Sequence, residues 1–254
     1  MELIVDKTHP GPSEATWRTL MARISIPPMQ PIHERRVVVV APHPDDEVLG
    51  AGGLIQEALG EHCLVEIVIV TDGEASHAKS KSMSPSRLAT IRAIESDVAL
   101  QRLGWVRPMV TRLRLPDGDV RGHRVELSDA LASILLPDDL CVAPWTSDGH
   151  PDHDATGLAA LQASRAVGAR ALGYLVWAWH WAEPEGADIP WERCQRLDLR
   201  RRARARKRWS TGAFQSQIRP LGPAEADAAI LPEPLLRRFW RPYEIYVDES
   251  GVAA

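Results

Sequence analysis

Short apolar runs alternate along the chain with stretches of helical period, starting near residue 36. The first run, Arg36 to Ala41, contains four consecutive valines. A continuous apolar run of this length is typical of a strand that is buried on both faces of a parallel sheet. The pattern predicts further strands at 64–70, 109–115, 140–144 and 172–179, and a last edge strand at 244–247.

Helical stretches follow these runs. Apolar residues recur at helical spacing in 50–59, 86–103, 124–136 and 153–169, and a basic helix is predicted at 192–209. Strands that alternate with helices predict an α/β fold: a Rossmann-like, doubly wound, mostly parallel sheet with helices on both faces. Without an internal repeat or a low-complexity linker, we predict one domain over 36–254. Residues 1–35, rich in proline, are predicted to form an N-terminal arm packed on it.

Composition narrows the protein class. The 254 residues are 44% hydrophobic and 25% charged, as in a soluble globular protein. The net charge of −4 argues against a nucleic-acid partner, which usually requires a basic surface. No run approaches the roughly 20 apolar residues of a membrane span, and the N-terminus does not resemble a signal peptide. The three separated cysteines form no CxxC pair, which argues against a thiolate zinc site and fits a reducing cytoplasm.

Two clusters of histidine and aspartate stand directly after predicted strands, at 43–47 (HPDDE) and 150–153 (HPDH). Ligands of open α/β sheets bind beyond the carboxyl ends of the strands, so the two clusters are expected to face each other. Turn formation and helix capping would explain one such cluster, but two at two strand ends favour a functional site.

The residue types suit a catalytic metal. Histidine nitrogens and carboxylate oxygens are the non-thiol ligands of zinc, and a catalytic site leaves one position open. We predict that His43, Asp46 and His153 bind Zn²⁺, although the same set also suits Fe²⁺. Zinc lowers the pKa of a water molecule to about 7. Asp45 is placed to accept the proton of that water.

Two further residues of the second cluster receive predicted roles. His150 would stabilise the developing oxyanion or protonate the leaving nitrogen. Asp152 would hold the ring of His150 in one tautomer.

Residues 41–53, APHPDDEVLGAGG, closely resemble the first signature of the LmbE-like, or PIG-L, deacetylase superfamily, and GHPDH at 149–153 resembles the second. Arg92, Glu95 and the LPDG of 115–118 extend the resemblance over roughly residues 36–170. It implies an LmbE-like fold, zinc-dependent deacetylation of N-acetylglucosaminyl compounds, and the roles given above. It also implies that Arg92 and Asp117 contact the sugar; by themselves they are an arginine on a helix and an aspartate in a turn.

One departure concerns the second signature. Some members carry a tyrosine two residues before its first histidine, where this chain has Asp148. A contact from that tyrosine to the transition state therefore does not transfer.

The leading hypothesis is an N-deacetylase whose partner is a small amino-sugar glycoside or glycoconjugate. The alternatives are an amidase of the same superfamily for larger acyl or thiol-conjugate amides, and a non-catalytic metal- or carbohydrate-binding homologue. Asp45 speaks against the last, because a binding protein needs no base beside its metal. The sequence leaves open whether the chain forms a homo-oligomer.

Two compositional features stand outside this site. The run from Arg200 to Arg208 is basic except for Ala203 and Ala205, and we expect a solvated helix rather than a contact to an anionic ligand. Trp177, Trp179 and Trp181 would share one face of a strand, as core or as a wall for substrate.

Overall fold

A computed structural model describes residues 11–250. Seven strands form one sheet in the order β3-β2-β1-β4-β5-β7-β6. They are β1 (Arg36–Ala41), β2 (Leu64–Thr71), β3 (Val110–Leu115), β4 (Asp139–Pro144), β5 (Arg170–Tyr174), β6 (Cys194–Asp198) and β7 (Tyr243–Asp248). Neighbouring strands are parallel except that β7 runs antiparallel to β5 and β6. The predicted α/β class with a mostly parallel sheet is confirmed.

Nine α-helices connect or flank these strands within residues 11–250. They are α1 (Glu14–Arg23), α2 (Asp46–Gly60), α3 (Pro85–Leu103), α4 (Arg124–Ile134), α5 (Pro151–Val167), α6 (Ala178–Trp181), α7 (Arg201–Thr211), α8 (Gln215–Ile218) and α9 (Glu233–Leu236). Short 3₁₀ turns occupy Trp191–Arg193, Glu225–Asp227 and Arg237–Trp240. No helix within this described range is both long and apolar enough to cross a lipid bilayer.

The side chains of β1 alternate between the two faces of the sheet, and this explains its uninterrupted apolar sequence. Val37 and Val39 belong to the core on one face of the sheet, together with residues of α2 and α3. Val38 and Val40 belong to the core on the other face, together with residues of α4 and α5. Successive side chains of a strand point to opposite faces, so a sheet covered on both sides needs apolar residues at every position.

Three expectations for the second half of the chain are wrong. The strand predicted at 172–179 ends at Tyr174, because the backbone turns where the N–H groups of residues 176–178 bind one carboxylate, and α6 follows. The basic helix begins only at Arg201, since β6 occupies the start of the predicted range. β7 is an interior strand rather than an edge, because β6 pairs on its outer side.

Helix α2 packs close to its neighbours through glycines. A Cβ atom at Gly50 would lie 2.2 Å from the ring of Tyr174, and one at Gly53 would lie 2.3 Å from Leu199. Larger residues would push α2 away from the sheet. The glycines therefore fix the position of the first turn of α2, which carries Asp46.

The helix α1 is anchored by Trp17, whose side chain is fully buried. Its Nε1 donates a hydrogen bond to the carbonyl oxygen of Trp179 at 3.0 Å, and its ring meets those of Trp179 and Trp191 edge-on. Residues 11–35 thus contact the part of the chain that follows β5. The division into an arm and a single domain over 36–254 stays a prediction.

We predict that Trp17→Ala lowers the free energy of unfolding by about 3–5 kcal/mol, because it opens a large cavity and leaves a buried carbonyl without its donor. Urea denaturation measures this difference. Trp209→Ala is the matched control: its side chain is 62% exposed, so the loss should stay below about 1 kcal/mol. Equal losses in both variants would contradict the anchoring role of Trp17.

Candidate metal centre

The topology brings the two histidine-aspartate clusters together. Strands β1 and β4 are parallel neighbours, with Val39 opposite Val142. The first cluster spans the loop after β1 and the first turn of α2, and the second spans the end of the loop after β4 and the first turn of α5. Both clusters therefore lie beyond the carboxyl edge of adjacent strands, as the sequence predicts.

His43, Asp46 and His153 meet at this edge. Oδ2 of Asp46 lies 3.2 Å from Nδ1 of His43 and 3.2 Å from Nε2 of His153. One ligand atom from each of the three residues lies within 4.8 Å of the others. His43, His150 and Asp152 form a second group whose ligand atoms also lie within 4.8 Å of one another. The two groups have His43 in common.

The ring of His153 is fully buried. Over residues 11–250, each of its nitrogens lies within ion-pair distance of a carboxylate, Nδ1 near Asp148 and Nε2 near Asp46, but neither contact has the geometry of a hydrogen bond. Buried polar atoms are rarely left in this state, because their desolvation is costly. The imidazoles of His43 and His153 and the carboxylate of Asp46 converge, and Nε2 of His153 makes no hydrogen bond there. This arrangement fits a divalent cation that binds all three residues. This donor set is one that zinc accepts.

Asp148 holds the other side of His153. Its Oδ2 lies 2.9 Å from Nδ1 of that ring, which directs Nε2 toward Asp46. The carboxylate of Asp148 also accepts the backbone N–H groups of Val176, Trp177 and Ala178 at 2.9–3.0 Å. The sequence analysis noted Asp148 only as a departure from a tyrosine. Its position five residues before His153, on the loop that leads into α5, is the signal that could have identified it.

Asp45 is 5% exposed and lies beside the ligand set. Its φ of +155° is rare for a residue other than glycine. The backbone N–H of Asp45 donates to the carboxylate of Glu47 at 2.9 Å, which helps to hold this conformation. Burial raises the pKa of the Asp45 carboxyl to about 8, against the opposing effect of Arg92. A dication in the ligand set would favour the ionised form.

Arg92 is 2% exposed, and its guanidinium lies 3.2 Å from Oδ1 of Asp45. It also donates to the carbonyl oxygens of Gly73 and Pro44 at 2.9 and 3.0 Å. These contacts tie the loop that carries Asp45 to α3. The direct contacts of Arg92 are thus to Asp45 and to two loops.

The protonation of the ligand set follows from its carboxylates. Burial disfavours the charged ring of His153, but Asp46 and Asp148 outweigh it and raise its pKa to about 9. Burial likewise opposes the charge of His43, yet Asp117, Asp152 and Asp46 raise its pKa well above the usual value. Without metal, protons therefore occupy the positions at which a metal would bind.

His150 lies at the opening of the site. Its ring stacks on that of Trp177 at a centroid distance of 5.8 Å. Its Nδ1 accepts the backbone N–H of Asp152 at 3.2 Å. Burial and the neighbouring His153 and His43 lower the pKa of His150 to about 3, so the ring is neutral and able to donate from one nitrogen.

Asp152 contacts the ring of His150 through its backbone N–H and not through its carboxylate. The Asp152 carboxylate accepts the N–H groups of Gly118 and Val120, at 2.8 and 3.1 Å, and lies 3.2 Å from Nε2 of His43. It is held by the loop that follows β3, which orients it toward His43.

Asp117 lies on that same loop. Its Oδ1 is 3.1 Å from Nε2 of His43, and its Oδ2 accepts the N–H of Ala75 at 2.6 Å. Asp117 is thus beside the ligand set, within the same cavity as Arg92.

The cavity above the ligand set has a volume of about 190 Å³. Charged side chains from both clusters line one side. Apolar and amide groups also line the cavity, and most of them could not be identified from the sequence because they come from separate helices and loops. They are Leu49, Val176, Trp177, Gln217, Ile230 and Leu231. The C-terminal third of the chain thus completes the pocket.

The PIG-L family, described as GlcNAc-PI de-N-acetylase, matches residues 38–164, which is half of the chain. The chain belongs to the PIG-L family. The matched segment runs from β1 into α5 and contains both clusters together with Arg92 and Asp117. The family resemblance expected from the sequence is confirmed.

Individual PIG-L relatives are distant. The diacetylchitobiose deacetylase of Thermococcus kodakarensis is 25% identical over 160 residues, 59% of this chain and 57% of that protein. The match thus spans just over half the length of that curated relative. A zinc-inhibited form of the teicoplanin deacetylase Orf2 superposes with a TM-score of 0.61 at 20% identity, covering 84% of this chain and 97% of that one. The N,N'-diacetylchitobiose deacetylase of Pyrococcus horikoshii, bound to an inhibitor, gives a TM-score of 0.60 at 22% identity, covering 84% and 83%. At these identities the two structures support the fold.

Proposed function

We propose that this protein is a metal-dependent N-deacetylase that hydrolyses the acetamide group of a small amino-sugar glycoside or glycoconjugate. The observation that carries the proposal is the convergence of His43, Asp46 and His153 beside a cavity that the Asp45 carboxylate lines. Membership of the PIG-L family and the deacetylase names of the relatives support the same reaction class.

Zinc in this ligand set would polarise the acetamide carbonyl and lower the pKa of the attacking water. Zinc is preferred to ferrous iron because hydrolysis requires no change of oxidation state. The ligand residues would be His43, Asp46 and His153.

Within the chain, Asp45 accepts a proton from the water as its oxygen attacks the carbonyl carbon. Arg92 keeps the Asp45 carboxylate in place through the contact described above. The neutral His150 donates a hydrogen bond to the carbonyl oxygen as negative charge develops there. The proton held by Asp45 then passes to the nitrogen as the C–N bond breaks, which gives acetate and the free amine.

The size of the cavity favours acetyl over larger acyl groups. Its 190 Å³ lies below the roughly 300–1,000 Å³ of most ligand pockets, so it suits a small group with the rest of the substrate at the opening. Trp177 lines this cavity beside His150 and adds to its apolar wall. We further propose a cytoplasmic location, in line with three free cysteines.

The test is acetate release from N-acetylglucosamine glycosides and N,N'-diacetylchitobiose. We expect release from the zinc-loaded protein, loss of at least about 100-fold after chelation, and recovery when zinc is restored. The matching N-butyryl glycosides are the control and should react much more slowly. Acetate release that is unchanged after chelation would contradict the metal-dependent mechanism, and faster release of butyrate would favour the amidase.

A further inference from the structure

A second cavity, with a volume of about 680 Å³, shares no lining residue with the metal centre. It is open to solvent and lined by residues of α1, β6, α7, α9, the turn Arg237–Trp240 and β7, together with Pro242. We call it the arginine pocket. Its charged lining consists of six arginines and two glutamates: Arg18, Arg196, Arg204, Arg208, Arg237, Arg241, Glu14 and Glu233. Its volume is within the range of small-molecule sites.

The positive charge of the arginine pocket is not balanced by carboxylates. Three of its arginines form ion pairs, Arg241 with Glu14, Arg237 with Glu233 and Arg196 with Asp198. Over residues 11–250, the other three, Arg18, Arg204 and Arg208, have no carboxylate within ion-pair distance. The whole chain has a net charge of −4, so this concentration of cations is local. Like charges gathered in this way repel each other unless an anion joins them.

Several of these guanidinium groups are held in place. Nε of Arg204 donates to the carbonyl oxygen of Trp240 at 2.7 Å, and the guanidinium of Arg208 lies 4.5 Å from the centre of the Trp240 ring. Arg196 lies 5.1 Å from the centre of the Tyr243 ring. Side chains fixed before binding lose little conformational entropy when a ligand arrives.

The basic run from Arg200 to Arg208 has two faces with different surroundings. Arg204 and Arg208 are four residues apart and lie on the same face of α7, toward the pocket. Lys207 is buried on the other side, where its Nζ binds the carboxylate of Glu244 and the carbonyl oxygen of Leu49. The arginines of this run are exposed or partly exposed, as expected for a solvated helix, and Lys207 is the buried exception.

We propose that the arginine pocket binds the phosphate group of a small organic phosphate. Phosphate carries about −1.5 to −2 charges and three acceptor oxygens, which suit several guanidinium groups at once. Met21, Ala22 and Pro242 offer apolar contact to the organic part. The arginines converge in one concave site, whereas nucleic acid requires an extended basic surface. This site is independent of the proposed deacetylation.

The experiment is a titration of the zinc-loaded protein with glycerol 3-phosphate, followed by phosphorus NMR at low salt. We expect saturable binding by the wild type and at least about tenfold weaker binding by the double variant Arg204→Gln/Arg208→Gln. Arg201→Gln/Arg202→Gln is the matched control. It removes the same charge from the same helix, at exposed positions that do not line the pocket, and should bind as the wild type does.

Three outcomes would overturn the proposal: no binding by the wild type, undiminished binding by the pocket variant, or an equal loss in the control. Undiminished binding would place the phosphate outside the arginine pocket, and an equal loss would show that only the overall charge of α7 matters. Both double variants change exposed side chains, and thermal unfolding checks that they fold. Acetate release by both should match the wild type, which separates this test from that of the proposed function.

A second arm identifies the source of the phosphate. Sedimentation with phosphatidylcholine vesicles that contain phosphatidic acid, if lost in the pocket variant, would assign the site to a lipid headgroup. Binding of glycerol 3-phosphate without such sedimentation would assign it to a soluble compound.

Discussion

Asp45→Asn should reduce the turnover number for acetate release by about 10²–10⁴-fold while zinc still binds at one ion per chain. The reason is that the amide cannot accept the proton of the attacking water, which is what a general base contributes. Asparagine keeps the size of the side chain and an oxygen for Arg92, so the loop should hold its conformation. Steady-state kinetics of the zinc-loaded variant, with metal content measured on the same sample, give both quantities.

Asp119→Asn is the control for this change. It removes a carboxylate from the loop after β3, but Asp119 is exposed and does not line the cavity. Its turnover should equal that of the wild type. If Asp45→Asn retained wild-type turnover, the base would have to be another group of the cavity. If it lost both zinc and turnover, Asp45 would belong with the metal ligands.

His153→Gln should weaken zinc binding by more than about 100-fold, with a corresponding loss of acetate release at limiting zinc. Removing a residue that only orients a ligand costs about 10–100-fold in affinity, and removal of a ligand should cost more. Glutamine is similar in length to histidine, so the fully buried site should keep its packing. Competition with a chelating dye measures the dissociation constant.

His33→Gln is the matched control, because His33 is exposed and precedes β1, whereas the first cluster follows the other end of that strand. Its zinc affinity should not change. Unaltered zinc affinity in His153→Gln would favour the alternative group of His43, His150 and Asp152 as the metal site.

The elements that could be predicted from the sequence are those whose pattern lies within one short segment. The run of valines in β1 and the apolar run of β2 are buried on both faces, so each segment by itself shows its position in a parallel sheet. The prediction that a strand continues to residue 179 was wrong, because the apolar residues around Trp177 and Trp179 are buried by a turn. The carboxylate of Asp148, about 30 residues earlier in the sequence, stabilises this turn. β6 was missed because its burial is only partial, and its pairing with β7 joins segments far apart in sequence.

In the candidate site, too, local patterns could be identified from the sequence and contacts between distant segments could not. Both clusters could be found because each combines ligand residue types with a strand end. The cavity wall could not be found, since Ile230 and Leu231 lie in an irregular segment without periodic pattern. The environment of Asp152 was also out of reach. Its partners, Gly118 and Val120, offer backbone N–H groups, and these leave no trace in residue types.

The way in which Asp148 is held bears on how the protein can evolve. Asp148 anchors His153 and is itself bound by the backbone N–H groups of residues 176–178, whose side chains play no part in that contact. Replacing the side chain of Trp177, next to His150, by any residue except proline therefore leaves the backbone N–H that anchors Asp148 in place. Selection for a new substrate at this wall is thus separated from selection for metal retention.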